Sequence, residues 1–130
     1  DDDLLWAAYQ SGDPYIAFAI QAGLAPPEAT KDTHKGIRNR CKSVVLGTNY
    51  GMSAYGIAQA AKIHELEAKS LLQKHRETYR KFWAWAENNK DRGLLGLKLE
   101  TCFGWPIQVT AGDVKANTFL NCQCRRMAQR

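Results

Sequence analysis

Four side chains spaced four residues apart, from Arg38 to Tyr50, constrain this chain more than any other feature of its sequence. Residues four apart on an α-helix advance by about 40° around its axis, so Arg38, Lys42, Leu46 and Tyr50 lie along one slowly turning edge about 18 Å long. We call these four residues the 38–50 edge. The residues that can face a core lie on another side of the helix: Ile37, Cys41, Val44, Val45 and Thr48. The spacing therefore predicts a helix over about 32–50 with one buried face.

The residue types of this edge suit an elongated ligand that has a polyanionic end and a flat end. Arg38 and Lys42 would meet phosphates, because guanidinium and ammonium groups form charge-assisted hydrogen bonds with phosphate oxygens. Leu46 would pack on a sugar, and Tyr50 would stack on a base. Gly47, beside the edge, leaves room for another backbone or a flat ring to approach closely. A nucleoside triphosphate fits this pattern. The alternative is an ordinary amphipathic helix with solvated cations and a buried tyrosine.

The rest of the chain predicts a single, mainly α-helical domain of 130 residues. Asp13 followed by Pro14 is typical of a helix N-cap and the first turn that follows it. Thr30 or Asp32 can cap the helix that carries the 38–50 edge.

Two further elements are predicted towards the C-terminal end. Apolar residues at helical spacing predict one long helix over about 64–88. His64 and His75 are expected to be exposed on that helix. After residue 96 the apolar and polar residues alternate, which predicts a short β-hairpin over about 97–109.

Composition and charge narrow the class of protein. Hydrophobic residues make up 45% of the chain and aromatic residues 10%, which excludes a disordered protein. Lys and Arg outnumber Asp and Glu by 18 to 13, and the net charge of +5 favours a polyanionic partner. No run of about 18 apolar residues occurs, so no membrane-spanning helix is expected. The acidic residues Asp1, Asp2 and Asp3 argue against a signal peptide, so we expect a cytoplasmic protein.

The cysteines and histidines predict no metal site. Their spacing contains no C-x-x-C pair and no zinc-ligand pattern. We expect reduced thiols at the four cysteines: Cys41, Cys102, Cys122 and Cys124.

The pattern R-x3-K-x3-L-G-x2-Y-G over residues 38–51 resembles motif B, the O-helix of family A DNA polymerases. Five positions match at fixed spacing: Arg38, Lys42, Gly47, Tyr50 and Gly51. Asp13-Pro14-Tyr15 resembles the segment before the O-helix in phage-type members, and Glu100-Thr101-x-x-Gly104 resembles an E-T-x-x-G hairpin. The resemblance covers residues 4–121. It implies the helical fingers subdomain of a polymerase over residues 1–121.

The resemblance implies a dNTP-binding role for the 38–50 edge. Arg38 and Lys42 would bind the incoming triphosphate, and Lys42 is the candidate general acid that protonates the departing pyrophosphate. Leu46 occupies the position that packs against the deoxyribose, which is commonly Phe or Tyr in the family. Tyr50 would stack near the templating base. Tyr15 lies near the position where cellular members carry a histidine that helps to hold phosphate.

On the template side, the resemblance implies contacts for three further residues. Gly47 and Gly51 would permit close approach of the template, and Asn121 would begin the next DNA-contacting helix. The implied partners are primer-template DNA and a dNTP, during DNA replication in a bacterial cell or a phage-infected host.

The resemblance also implies which parts of a polymerase this chain lacks. Phosphoryl transfer in this class needs two metal ions, which carboxylates of the palm subdomain hold in the family. We expect the chain to lack the palm and thumb, to hold no metal ion and to be inactive alone. Mg²⁺ is expected only in the complete polymerase.

The segment 122–130 resembles nothing in the family. In family members the asparagine at the position of Asn121 is usually followed by a pattern like F/W-P-M-Q-A-N-G-A-E. One choice of codons for residues 121–130 reads N-W-P-M-Q-A-N-G-A-E when a single G is inserted. We therefore interpret 122–130 as an out-of-frame tail, and the alternative is a genuine divergent tail. The encoding DNA tests this hypothesis directly.

Two other classes of protein stay open from the residues alone. One is a stand-alone basic helical module that binds DNA, although a base-reading helix favours Arg, Asn and Gln where the edge has Leu46 and Tyr50. The other is a helical protein that binds a partner through Phe82, Trp83 and Trp85. We expect these aromatic residues to form the chain's own core. Apolar surface that a palm subdomain would cover is expected to drive self-association.

Overall fold

The computed structural model describes residues 2–100 and 104–107 of the chain. Within these residues the chain forms six α-helices and one antiparallel pair of short strands. In chain order the elements are α1 (Asp3–Gln10), α2 (Pro14–Gln21), α3 (Lys35–Asn49), α4 (Ala54–Ala61), α5 (Glu65–Thr78), α6 (Arg80–Leu94), β1 (Leu99–Glu100) and β2 (Pro106–Ile107). The mainly α fold is thereby confirmed. Asn121 and the segment 122–130 lie outside the described residues, so what was predicted for them stays a prediction.

Local sequence signals determine where α2 begins and where α3 ends. Asp13 is the N-cap of α2, as predicted, and its carboxylate accepts backbone hydrogen bonds from the first turn. After α3 the chain turns at Gly51, whose φ of 69° lies in the left-handed region that glycine adopts without strain. The N–H of Gly51 donates to the carbonyl of Thr48 at 2.9 Å, and that of Met52 donates to Gly47 at 2.8 Å. These bonds satisfy two carbonyls at the end of α3.

The start of α3 differs from the prediction. The helix begins at Lys35 rather than near residue 32. The N–H of Thr30 donates to the Oγ1 atom of Thr33 at 3.0 Å, and the N–H of Thr33 donates to the Oγ1 atom of Thr30 at 3.3 Å. This reciprocal pair forms a separate turn that competes with helix capping. The N-cap of α3 is His34, so the prediction that Thr30 or Asp32 caps this helix was wrong.

The long helix predicted over 64–88 is in fact two helices, α5 and α6, which meet at Tyr79. Tyr79 has φ −113° and ψ 58°, outside the helical region. Its ring is buried, and its hydroxyl donates a hydrogen bond to Oε1 of Gln21 on α2 at 2.6 Å. At the start of α6, Oδ2 of Asp2 accepts a hydrogen bond from the N–H of Phe82 at 3.3 Å. The apolar spacing continues unbroken through Tyr79, but contacts with the N-terminal part of the chain change the direction of the backbone there. These contacts divide the predicted helix into α5 and α6.

The core lies between α2, α3, α4 and α5 and extends to Tyr79. Its buried residues are Phe18, Ala19, Cys41, Val44, Val45, Ile57, Ala58, Ala68, Leu71 and Tyr79. His75 belongs with this core, because it is 2% exposed and its ring centroid lies 5.0 Å from that of Phe18 and 4.9 Å from that of Tyr79. The prediction that His75 is exposed was wrong, whereas His64 is exposed as expected. Burial lowers the pKa of His75 to about 4, against the opposing charge of Asp2.

The aromatic residues at the start of α6 belong to the body of the domain. Phe82 packs against the core cluster. The indole N–H of Trp83 donates a hydrogen bond to His75 Nδ1 at 3.0 Å. Trp85 is half-buried, and its ring centroid lies 6.0 Å from that of Phe82. These contacts support the expectation that the three aromatic residues contribute to the chain's own core.

The strands pair in the region predicted to be a hairpin. Leu99 lies opposite Ile107, and Glu100 lies opposite Pro106. Leu99 is buried, which fixes one end of the pair against the helical part of the domain. Residues 101–103 and 108–109 of the predicted range lie outside the described residues.

Candidate functional site

The helix α3 carries the 38–50 edge without interruption. The helix continues through Asn49, and Tyr50 is its C-cap, with φ −88° and ψ −1°. At 100° of rotation for each residue, Lys42 and Tyr50 therefore point about 80° apart rather than to opposite sides. Lys42 and Tyr50 are exposed, and Arg38 and Leu46 are half-buried. Of the five residues predicted to face the core on the other side, Ile37 is partly buried and packs against the core, and the other four are buried: Cys41, Val44, Val45 and Thr48.

Tyr15 on α2 brings the two cations of this edge together. The Cζ atom of Arg38 lies over the Tyr15 ring, 5.2 Å from its centroid. The Nζ atom of Lys42 lies over the same ring at 5.9 Å. Both cations are attracted to the electron-rich face of the ring, which holds them in one region of the surface. The structure thus places Tyr15 beside the residues with which the sequence resemblance associated it.

Asp13 is a member of the site that the sequence analysis identified only as a helix cap. Its Oδ1 atom accepts hydrogen bonds from the N–H groups of Tyr15 and Ile16, at 3.2 and 3.3 Å. Its Oδ2 atom lies 2.6 Å from Nε of Arg38, in an ion pair that is about one-fifth exposed on each side. Burial acts to raise the pKa of the Asp13 carboxyl, but the hydrogen bond from Arg38, the two backbone N–H groups and the charge of Arg38 together hold it below its ordinary value. Asp13 therefore stays ionised and paired at neutral pH.

The two glycines expected to admit a template strand have different surroundings. Gly47 is buried, and a Cβ atom at this position would lie 2.7 Å from Cγ1 of Ile57 on α4. The space in which a Gly47 side chain would lie is thus filled by α4, and the contact of Gly47 with a template stays a prediction. Gly51 lies in the turn after α3, close to Tyr50.

The opposite side of α3 faces α5. The Nη1 atom of Arg40 lies 2.9 Å from Oε1 of Glu67, in an exposed ion pair. Cys41 is buried, and burial raises the pKa of its thiol to about 12, so this cysteine is an unreactive core residue. Arg38 and Arg40, although close in sequence, therefore serve different surfaces of the helix.

Lys42 and Tyr50 expose part of the 38–50 edge at the surface of the domain. A groove of about 560 Å³ lies between the end of α3, α5 and α6. Its lining includes Gly51, Arg76 and Trp83 but neither Arg38 nor Lys42. A ligand on the edge would thus have one side open to solvent or to another part of a larger protein.

The described residues do not fit a two-metal centre. Across 2–100 and 104–107, no three His, Cys, Asp or Glu side chains come close enough together to hold a metal ion. No chemical step is therefore assigned to a metal bound by these residues. In the same part of the chain, no helix is long and apolar enough to cross a membrane.

A sequence model of DNA polymerase family A matches residues 1–128 of the chain. The chain belongs to this family. Membership of this family favours a polymerase fragment over the two alternatives, an unrelated DNA-binding module and a helical partner-binding protein. The match also includes most of the segment 122–130, whose reading frame stays a prediction.

Two bacterial polymerases match most of this chain. The thermostable DNA polymerase I of Thermus aquaticus is 31% identical over 106 residues, which cover 75% of this chain and 13% of the relative. The thermostable DNA polymerase I of Thermus thermophilus is 29% identical over 104 residues, which cover 80% of this chain and 12% of the relative. The chain thus spans about one-eighth of the length of the polymerases it matches.

A solved polymerase shares the fold. The POL domain of Pol1 from M. smegmatis, in complex with DNA primer-template and dNTP, superimposes with a TM-score of 0.76 at 24% identity. The superposition covers 95% of this chain and 23% of that domain. The helices of this family A segment are therefore arranged as in part of a polymerase domain.

Proposed function

We propose that this chain is the fingers segment of a family A DNA polymerase and binds the incoming dNTP during DNA replication. The observation that carries the proposal is the convergence of Arg38 and Lys42 over one ring, that of Tyr15, on an exposed surface. Two cations held close together on a surface suit the negative charges of a triphosphate. The family membership supports a nucleotide as the source of that triphosphate.

The two cations are suited to different tasks on the triphosphate. The planar guanidinium of Arg38 offers several N–H donors to phosphate oxygens and does not lose its proton in proteins. The ammonium group of Lys42 can give up a proton, so Lys42 is the proposed general acid towards the departing pyrophosphate. Lys42 is exposed, which leaves its Nζ atom accessible to a ligand.

The other end of the edge suits the nucleoside. Leu46 lies one helical turn beyond Lys42 and would pack on the deoxyribose, with a smaller contact than the Phe or Tyr common in the family. Tyr50 is 45% exposed at the end of α3 and would stack near the templating base. We propose that the template strand approaches the chain at Gly51, in the turn after α3, and at Asn121.

We further propose that the metal chemistry belongs to another part of the complete polymerase. Mg²⁺ would be held there by palm carboxylates, and the palm and thumb would cover the open side of the edge. The 130-residue chain on its own is then expected to bind a dNTP or primer-template DNA weakly. With magnesium present it should not extend a primer, and reproducible synthesis by the purified chain would refute this part of the proposal.

A nucleotide titration of four proteins tests the binding role. Wild type is compared with Arg38→Ala, Lys42→Ala and, as the matched control, Arg40→Ala, which removes an arginine from the opposite side of α3. We expect weak triphosphate binding in wild type and in the control, and loss of binding in the other two variants. Equal affinity in all four proteins would overturn the proposed site. A steep salt dependence of binding to duplex DNA would instead favour a phosphate-reading duplex module.

A further inference from the structure

We infer that Asp13 is a positioning residue, which holds the Arg38 guanidinium in the orientation that meets the triphosphate. The inference rests on the proposed function of the 38–50 edge and extends it to α2. Asp13 itself would touch no substrate. It would act through Arg38, because one oxygen of its carboxylate is tied to the backbone of α2 and the other to the arginine.

The Asp13 carboxylate is itself held in place from two sides. Its Oδ1 atom accepts hydrogen bonds from Tyr15 and Ile16 at the start of α2, at 3.2 and 3.3 Å. Because these bonds tie the carboxylate to the backbone of α2, its Oδ2 atom is held facing Arg38 on α3. That atom accepts the hydrogen bond from Nε of Arg38 at 2.6 Å, and the opposite charges of the two groups strengthen this bond.

This arrangement leaves the outer part of the guanidinium for a ligand. An arginine side chain has five N–H donors in a planar fork, and the bond to Asp13 uses the one on Nε. The other donors, on the two terminal nitrogens, are those that form paired bonds with phosphate. A guanidinium that is already anchored loses less conformational freedom when an anion binds, so its affinity for the anion is higher.

The same carboxylate also orders the surface beneath both cations. Its Oδ1 atom bonds to the backbone of Tyr15, whose ring lies under Arg38 and Lys42. One residue on α2 thus fixes the first cation directly and the second through the ring.

A negative charge near a triphosphate also repels it, so two effects oppose each other. The carboxylate lies on the Nε side of Arg38, and a phosphate on the terminal nitrogens would be separated from it by the guanidinium. The repulsion is further screened by salt over about 8 Å at physiological ionic strength. We therefore expect positioning to outweigh repulsion, and the test below distinguishes them by the sign of the change.

The variant Asp13→Asn isolates the contact with Arg38. Asparagine is as good an N-cap as aspartate, so α2 keeps its first turn. Its side-chain oxygen can still cap, but its amide nitrogen cannot accept the hydrogen bond from Nε. The matched control is Glu67→Gln, which makes the same charge change in the ion pair that Arg40 forms on the other side of α3.

Two measurements on the full chain test the inference. In a titration with dATP, Asp13→Asn should weaken binding by up to about tenfold, the cost of ordering one free arginine side chain when the nucleotide binds, while Glu67→Gln binds as wild type does. In a proton–nitrogen NMR spectrum, wild type should show one protected arginine Nε–H signal that is absent in both Arg38→Ala and Asp13→Asn. Unchanged or tighter binding by Asp13→Asn would overturn the inference.

The failure of this inference differs from the failure of the proposed function. If Arg38→Ala and Lys42→Ala lose binding and Asp13→Asn binds as wild type does, the nucleotide site is supported and only the role of Asp13 is refuted. Equal binding in all variants would refute the proposed nucleotide site itself. The NMR signal needs no nucleotide, so a wild-type spectrum without a protected Nε–H assignable to Arg38 would refute the positioning role even if Asp13→Asn failed to fold.

Discussion

The indole N–H of Trp83 on α6 donates a hydrogen bond to the Nδ1 atom of His75 on α5, across a distance of 3.0 Å. The acceptor nitrogen must carry no proton, so this bond exists only while the imidazole is neutral. Because the two helices meet at the break at Tyr79, the bond joins them on the side of the core. Protonation of His75 would remove the acceptor and place a charge in a buried site.

We expect the domain to lose stability as the pH falls from about 6.5 to about 4. Burial lowers the pKa of His75 from 6.5 to about 4, so in this range the unfolded chain binds a proton that the folded chain does not. The free energy of unfolding should therefore decrease as the pH decreases. His75 contributes at most about 1.4 kcal/mol to this decrease for each pH unit. Thermal melts followed by circular dichroism across this range measure the slope.

The variant His75→Gln separates this contribution from those of the carboxylates. Glutamine does not titrate, and its side-chain oxygen can still accept a bond from an N–H group. Between about pH 6.5 and pH 4, the stability of the His75→Gln variant should depend less on pH than the stability of wild type. Parallel pH profiles for the two proteins would show that His75 is not the group responsible.

Gly47 should not tolerate a methyl group. A Cβ atom there would lie 2.7 Å from Cγ1 of Ile57, which is too close for ordinary contact. Although alanine favours a helix over glycine by about 1 kcal/mol, the overpacking should dominate, and Gly47→Ala should destabilise the domain by about 1–2 kcal/mol. Urea unfolding measures this difference.

The matched control is Gly36→Ala in the same helix. A Cβ atom at Gly36 would meet open space, so only the gain in helix propensity remains. We expect this variant to be as stable as wild type or up to about 1 kcal/mol more stable. Equal effects of the two substitutions would contradict the packing of α4 against Gly47.

Replacement of Lys62 by glycine should stabilise the domain. This residue ends α4 with φ 55° and ψ 46°, the left-handed conformation that is unfavourable for residues with a Cβ atom. Relief of that strain exceeds the added freedom of glycine in the unfolded chain, so Lys62→Gly should raise the free energy of unfolding by about 0.5–1 kcal/mol. Lys62→Ala keeps the strain and is the control, for which no gain is expected. A gain of the same size in both variants would point to the lysine side chain instead.

Self-association is predicted to involve α1. Leu4, Trp6 and Tyr9 are exposed on this helix, and Trp6 is the most exposed of the three at 64%. Trp6→Arg should weaken self-association about tenfold, the effect of losing one buried apolar side chain. Tyr55→Arg, which changes another exposed aromatic residue on α4, should leave it unchanged. Sedimentation velocity over a range of concentrations measures the difference, and a concentration-independent monomer in wild type would refute the prediction.

Local patterns in the sequence predicted the features that depend on neighbouring residues. The N-cap at Asp13 and the helix through Arg38 and Tyr50 were predicted in this way, because capping and helical periodicity act within a few residues. The reciprocal turn of Thr30 and Thr33 is equally local, and it competes with capping at Thr30 or Asp32, so that α3 begins only at Lys35.

Contacts between distant residues account for the remaining differences. The burial of His75 and the break at Tyr79 depend on the packing of α1 and α2 against α5 and α6. The apolar spacing within one helix cannot predict which other helices will pack against it. The family resemblance, in contrast, rests mainly on the motif at residues 38–51, and the match over residues 1–128 confirmed it.

By itself, the order of amino acids determined that two cations, a leucine and a tyrosine share one side of a helix, since the rotation for each residue is a property of the α-helix. Only the packing of α2 against α3 decided that Arg38 and Lys42 lie over the ring of Tyr15 and that Asp13 holds Arg38. Asp13 and Arg38 are 25 residues apart in the chain, so their contact depends on how the helices fold together rather than on any local spacing.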